Sequence, residues 1–326
     1  MPAGVTMVEA VGRALGQVLD DDPRAILLGE DIGVNGGVFR ATAGLQARFG
    51  PDRVVDTPLS EAGFVGAAIG MCLVGLRPIV EIQFDAFVYP AFEQLASHAG
   101  RFRWRTNGAY GLPMVIRIPY GGGTKAPELH SDSPETLFSH TPGLRVVAPS
   151  DPLSAGEMLV AAAACGDPVI YMEPKRLYRR GRAEIPDRFQ PSSLDRAQVV
   201  RPGADVAILA HGAMVEVALE AAERLADEGA SVRVVDLRSL YPLDRETLLR
   251  TAREVGRVVV VHEAPRHSGV AAEVAAILQE EVADHLLAPV LRVTGMDMPF
   301  PLFQLEDQAL PSVSRVVRTA RAALEY

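Results

Sequence analysis

Short apolar runs alternate with stretches of helical period along the whole chain. Residues 6–19 carry Val8, Val11, Leu15 and Val18 on one helical side, with Thr6 as the cap. Residues 25–28 read as a strand ending at Gly29-Glu30-Asp31, and 53–56 as a second strand before a Thr-Pro break. Further strands are expected over 78–84, 113–118, 144–148 and 168–172, with helices from Glu61, over 86–98 and around 155–164. Residues 185–200 hold Pro186 and Pro191, lack a period and read as a linker. A second alternation follows, with strands over 205–210, 231–236, 257–262 and 290–293 and helices over 214–228, 244–255, 270–283 and 312–324. Such alternation predicts an α/β fold with parallel or mixed sheets, in two domains at 1–184 and 201–326. No internal repeat or low-complexity tract interrupts it.

Composition narrows the class. The chain has 326 residues, 48% of them hydrophobic, enough for two cores. Against 32 basic residues stand 41 acidic ones, and the net charge of −9 disfavours nucleic acid as a partner. The basic run Arg101-Phe-Arg-Trp-Arg105 is therefore read as a helix end or a partner-facing surface. No segment stays apolar over the ~20 residues that a membrane helix needs. The start, Met1-Pro-Ala-Gly4, has neither the basic stretch nor the apolar core of a secretion signal. The two cysteines, Cys72 and Cys165, give no disulfide framework, and a reducing cytoplasm is the expected setting.

The run Asp56-Thr-Pro-Leu-Ser-Glu61-Ala-Gly63-Phe-Val-Gly66-Ala-Ala-Ile-Gly70 concentrates the candidate chemistry. It sets one carboxylate, Glu61, at a strand-to-helix junction backed by apolar and small residues. Desolvation favours the protonated form of a carboxyl so placed, and such a group can share its proton with a bound heterocycle. The competing reading is a first-turn glutamate that only complements the helix dipole. Gly63, Gly66, Ala67 and Gly70 recur at helical spacing, which lets a helix approach its neighbours closely. Ligands of open α/β sheets sit beyond the carboxyl ends of strands. Glu61, Phe87 and His130 each follow an expected strand end or open the next helix, so all three are placed to face one crevice. The bland alternatives are a core phenylalanine and a structural or solvated histidine. The run Gly121-Gly-Gly-Thr-Lys125 lacks P-loop spacing, and no G-x-G-x-x-G follows a strand. A flexible, partner-contacting loop before His130 is the reading it leaves.

An ordered set of motifs carries a family resemblance. Gly29-Glu30-Asp31-Ile-Gly33 is followed by Gly36-Gly37-Val-Phe-Arg40, Asp56-Thr-Pro-Leu-Ser-Glu61, Glu81-Ile-Gln-Phe84 and Tyr89-Pro-Ala-Phe92. Then come Glu128-Leu-His130-Ser-Asp-Ser-Pro-Glu135, Glu173-Pro-Lys175-Arg-Leu-Tyr178-Arg, Val235-Asp-Leu-Arg238 and His262-Glu-Ala-Pro265. In this order and spacing they strongly resemble the β subunit of the heterotetrameric, thiamine-diphosphate-dependent 2-oxoacid dehydrogenases, from about Thr6 to the last residues.

The resemblance implies a thiamine pyrimidine-binding first domain and a transketolase-type C-terminal domain used mainly for assembly. It implies that Glu61 hydrogen-bonds a ring nitrogen of the aminopyrimidine and so controls the proton that activates the cofactor. Phe87 would stack on the same ring, Leu59 offer backbone contacts, Gln83 orient the cofactor, and Glu30 either join an acidic proton-sharing network or act as a cap. His130 would contact the substrate carboxylate or assist reductive acylation of a lipoyl group, a task suited to imidazole, which titrates near neutral pH. Some family members hold a structural potassium ion, and the matching positions are Met114, Ala162, Ala163, Cys165 and Asp167, mostly through backbone carbonyls.

What the chain lacks is equally telling. Thiamine enzymes hold the diphosphate through Mg²⁺ on a Gly-Asp-Gly motif with paired asparagines beyond it. Here there is Gly166-Asp167-Pro168, and Asn35 and Asn107 are the only asparagines. Magnesium prefers hard oxygen ligands and phosphate, and no acidic cluster supplies them. The expectation is half an active site, completed by an α subunit that holds Mg²⁺ in an α₂β₂ assembly. By resemblance the C-terminal region would also dock a lipoyl-bearing acyltransferase core. Ser97-His98, Glu173 to Arg179 and His262 to Arg266 favour a branched-chain 2-oxoacid as substrate; Gly33 to Arg40 and Pro127 to His130 favour pyruvate, the alternative. A non-catalytic scaffold subunit and a free-standing nucleotide-binding protein are the readings from other classes.

Overall fold

The computed structural model describes residues 4–326, so the first three residues of the start read for a signal lie outside the described residues. Two compact units divide the chain. One runs up to Tyr120 and resumes over Leu137–Leu194, and the other joins Gly121–Thr136 to Asp195–Tyr326.

In the first unit the helix Met7–Asp21 begins with a capping box: Glu9 N–H donates to Thr6 Oγ1 at 3.4 Å, and Thr6 N–H donates to Glu9 Oε2 at 2.7 Å. Val8, Val11, Leu15 and Val18 are buried on its inner side as the period requires, each burial worth roughly 1.5–3 kcal/mol. Six strands follow: β1 (Ala25–Gly29), β2 (Val54–Asp56), β3 (Arg77–Glu81), β4 (Val115–Tyr120), β5 (Arg145–Val147) and β6 (Val169–Pro174). They pair in parallel in the order β5-β6-β4-β3-β1-β2. Every residue of β1, β4 and β6 is buried, as in a sheet covered on both faces.

Three expectations change in detail. The strand expected over 78–84 ends at Glu81, and the chain turns through the short 3₁₀ segment Asp85–Val88. The helix expected over 86–98 is Tyr89–Glu93 continued by a π segment, Gln94–Ala99, a rarity that tends to mark functional regions. The proline-rich residues after 185 are not a free tether. Phe189 is 3% exposed, its backbone exchanges two hydrogen bonds with the Gln17 side chain at 2.9 and 3.0 Å, and its ring fills the space that a side chain at Gly156 would need.

The second unit holds β7 (Gln198–Arg201), β8 (Val206–Ala210), β9 (Val232–Asp236), the short β10 (Ser239–Tyr241), β11 (Val258–Val261) and β12 (Leu291–Val293). Its sheet runs β12-β11-β8-β9-β7, parallel except for β7, which lies antiparallel to β9. Gln198–Arg201, read as the end of the linker, is therefore an edge strand; its residues are largely exposed, and a one-sided edge carries little apolar signal. Helices Met214–Asp227, Arg245–Val255, Val270–Val282 and Val313–Leu324 alternate with these strands as expected.

Candidate active site

The carboxyl end of the first sheet gathers acidic groups because β1, β2 and β3 end in register. Gly29 pairs with Asp56 on one side and with Glu81 on the other. Glu30 lies one residue beyond Gly29. Asp56 accepts the Gly33 N–H at 2.6 Å, and its carboxylate and Gln46 occupy the space that a side chain at Gly33 would need, so a larger residue would have to displace both.

Glu61 is the first residue of the helix Glu61–Leu73 and is 7% exposed. No side chain caps that helix end, and no described residue hydrogen-bonds the Glu61 carboxylate. The residue is largely covered, but its carboxylate oxygens keep some access to solvent and are open to a ligand. Glu30 faces the same region. Burial, and then the negative charges of Asp31 and Glu61, push its carboxyl above the usual range. Its Oε2 is buried with no partner among the described residues. Two neighbouring carboxyls so placed are suited to sharing protons with a basic ring nitrogen.

Leu59 is 64% exposed in the turn before Glu61. Gln83 and Phe87 are half-buried beyond β3, and the Phe87 ring meets Phe84 edge-on at 5.7 Å. A buried Lys175–Asp85 ion pair ties down the start of the 3₁₀ turn that carries Phe87. Lys175 also sits 5.7 Å over the Phe84 ring. Beneath lies a wholly buried network. Arg117 donates from Nε to Glu173 at 2.6 Å, from Nη2 to Glu173 at 2.9 Å and from Nη1 to Glu81, while the Tyr178 hydroxyl donates to Glu173. The sequence marks Glu81, Glu173 and Tyr178 only as motif letters. Arg117, which joins the two glutamates, stands 36 and 56 residues from them, in a strand with no motif.

His130 belongs to the second unit. Its Nδ1 lies 2.8 Å from the Glu128 carbonyl, which fixes the tautomer with the proton on Nδ1 and leaves Nε2 as the basic nitrogen. The Gly121 loop, expected to be flexible, is hydrogen-bonded to two carboxylates. Gly122 N–H donates to Glu263 at 3.0 Å, and Lys125 N–H donates to Glu306 at 3.0 Å.

The small residues of the Glu61–Leu73 helix divide. Gly66 lies against Gln94, whereas Gly63, Ala67 and Gly70 are exposed, next to Leu73 and Val74. Four of the five positions matched to potassium have an oxygen engaged. Met114 O accepts from Val169 N–H, Ala162 O from Cys165 N–H and Ala163 O from Arg77, and Asp167 pairs with Arg103. Two guanidiniums, of Arg77 and Arg103, lie against this group. Cys72 and Cys165 are free thiols, and burial pushes Cys72 up to about 12. Among the described residues no three His, Cys, Asp or Glu side chains are grouped to hold a metal, and no helix is long and apolar enough to cross a membrane.

Residues 3–181 match the family model for the transketolase pyrimidine-binding domain, and residues 195–316 that for the transketolase C-terminal domain. A pyruvate dehydrogenase E1 component subunit beta from Leifsonia xyli is 48% identical over 98% of this chain and 95% of its own. The subunits of that name from Bacillus subtilis and Staphylococcus epidermidis are 45% and 44% identical, each over 99% of this chain and all of their own. Among solved structures, a split-gene transketolase in an inactive β₄ tetramer superposes with a TM-score of 0.80 at 28% identity, covering 99% of both chains.

Proposed function

The chain belongs to the β subunits of the thiamine-diphosphate-dependent 2-oxoacid dehydrogenases, and on that premise we propose that it is half of a pyruvate-decarboxylating active centre. Sequence motifs alone put branched-chain 2-oxoacids first; the names of the relatives favour pyruvate, the alternative reading. An α subunit would complete the centre in an α₂β₂ assembly, bringing the diphosphate site and Mg²⁺. The exposed Gly63, Ala67, Gly70, Leu73 and Val74 support an apolar interface on the helix that Glu61 opens. The division into residues 1–184, a linker at 185–200 and 201–326 is part of this reading, as is docking of the C-terminal domain on a lipoyl-bearing acyltransferase core.

One observation carries the proposal: the Glu61 carboxylate opens its helix near Glu30 and has no donor among the described residues. Thiamine diphosphate, when bound, supplies the carbon nucleophile and the electron sink for loss of CO₂. Glu61 would hold a proton against the pyrimidine nitrogen. Glu30, whose carboxyl burial raises, would join it in a proton-sharing acidic pair. Phe87 would stack on the pyrimidine, Gln83 orient it and the Leu59 backbone flank it. His130 would receive or return a proton at the substrate side.

The test is decarboxylation by the chain co-expressed with its α partner, with thiamine diphosphate, Mg²⁺ and an artificial electron acceptor. Preference for pyruvate over 2-oxoisovalerate supports the reading. The reverse preference restores the branched-chain enzyme, and no turnover of either favours a scaffold role. Full activity from a β homodimer would overturn the half-site argument. Substrate choice can turn on few residues, since one methylene is worth only ~1–3 kcal/mol of discrimination.

A further inference from the structure

We infer that Glu306, buried far along the chain in the second unit, is a positioning residue for His130. The inference rests on the reading of His130 as a working side chain. Within Gly121–Thr136 two non-glycine residues, Lys125 and Leu129, hold left-handed backbone at φ +56° and +65°. Leu129 directly precedes His130. Large side chains rarely adopt that conformation, and it persists only where the surroundings over-determine it.

Those surroundings are visible. Gly121 N–H donates to the Asp132 carbonyl at 2.9 Å and closes the neck of the loop. Gly122 N–H donates to Glu263, and the ring of Phe300 sits where a side chain at Gly122 would go. Glu306, fully buried, then accepts Gly123 N–H on Oε1 and Lys125 N–H on Oε2, the latter at 3.0 Å. Lys125 Nζ pairs with Asp307 at 2.7 Å. Both oxygens of one carboxylate thus grip two amides of a strained loop, five and seven residues before His130. An ionised carboxylate on backbone N–H groups makes stronger bonds than a neutral acceptor. Glutamine at this position would offer one acceptor and turn an amide N–H against the other donor. Glu306 does not touch His130; it would act by fixing the loop shape that presents the imidazole.

The test uses the assembled α₂β₂ enzyme with thiamine diphosphate and Mg²⁺. It compares His130→Ala, Glu306→Gln and the double variant in turnover of pyruvate. His130→Ala should lose about 10²–10⁴-fold. Glu306→Gln should lose about tenfold or more in kcat with little change in KM, and less than twofold when added to His130→Ala. An equal loss from Glu306→Gln in both backgrounds, or no loss in either, overturns the positioning role. Normal turnover by His130→Ala overturns the underlying reading of His130 instead. Hydrogen exchange of the unmodified enzyme covers a variant that does not assemble. The Gly123 and Lys125 amides should exchange slowly, and free exchange at both sinks the clamp.

Discussion

Glu81 and Glu173 are buried in the first sheet with a guanidinium and a phenol between them, whereas Glu30 and Glu61, beyond neighbouring strands of the same sheet, have no donor among the described residues. The burial is comparable, with Glu81 at 4% and Glu61 at 7% exposure, so burial alone does not separate the two kinds of carboxylate. What separates them is satisfaction. A carboxylate that the fold has paired serves the fold, and one left without a donor is available to a ligand.

The largest effect that would break this comparison lies at Glu61. Glu61→Gln keeps size and helix position but cannot hand a proton on. It should leave the melting temperature of the assembled enzyme within a degree or two and reduce decarboxylation about 10²–10⁴-fold. Near-normal turnover would return Glu61 to the class of helix-dipole residues. Arg117 provides the opposite arm. Arg117→Met strands two buried carboxylates and should destabilise the chain by about 3–5 kcal/mol. Replacing Glu81 and Glu173 by Gln as well should recover much of that loss, because no uncompensated charge remains. Denaturant midpoints of the single and triple variants decide it; a single variant as stable as the parent would make the network dispensable.

How far the sequence carries this distinction depends on the range of the interaction. The cap at Thr6, the inner face of the first helix, the alternating layers and the position of Glu61 at a helix start all depend on neighbours within a turn or two, and they read directly from the residues. The partners of Glu81 and Glu173, the seat of Phe189 and the grip of Glu306 on the Gly121 loop span 36 to 183 residues. No local period encodes them. His130 was legible as a polar loop histidine only through its motif. The anchors of its loop lie at the other end of the chain. The π segment over Gln94–Ala99 has no local signature either, since the apolar spacing there suits an ordinary helix.

The smallest effect is a pH dependence in the second unit, and it extends the same contrast to histidine. His262 is 1% exposed at the carboxyl end of β11, its ring stacked 6.4 Å from that of His211. Burial lowers it from 6.5 to about 4; Glu135 and the Ala264 backbone pull it up, while His211 and Arg292 push it down. The native state therefore holds His262 neutral while the unfolded chain takes up a proton below 6.5. Stability contributed by the neutral ring is complete above pH 6.5 and is lost as pH falls towards about 4, with a total of about 3 kcal/mol. Glu30 works in the other direction, because a carboxyl raised by folding binds its proton first in the native state and adds stability as pH falls. Asp22 and Asp244 are lowered and weaken the fold only at still lower pH. A difference measurement isolates the histidine: the urea midpoint of the parent should fall between pH 6.5 and 4.5, and that of His262→Gln should fall less over the same range. Parallel curves would mean that His262 charges without penalty, and that its burial has no electrostatic consequence.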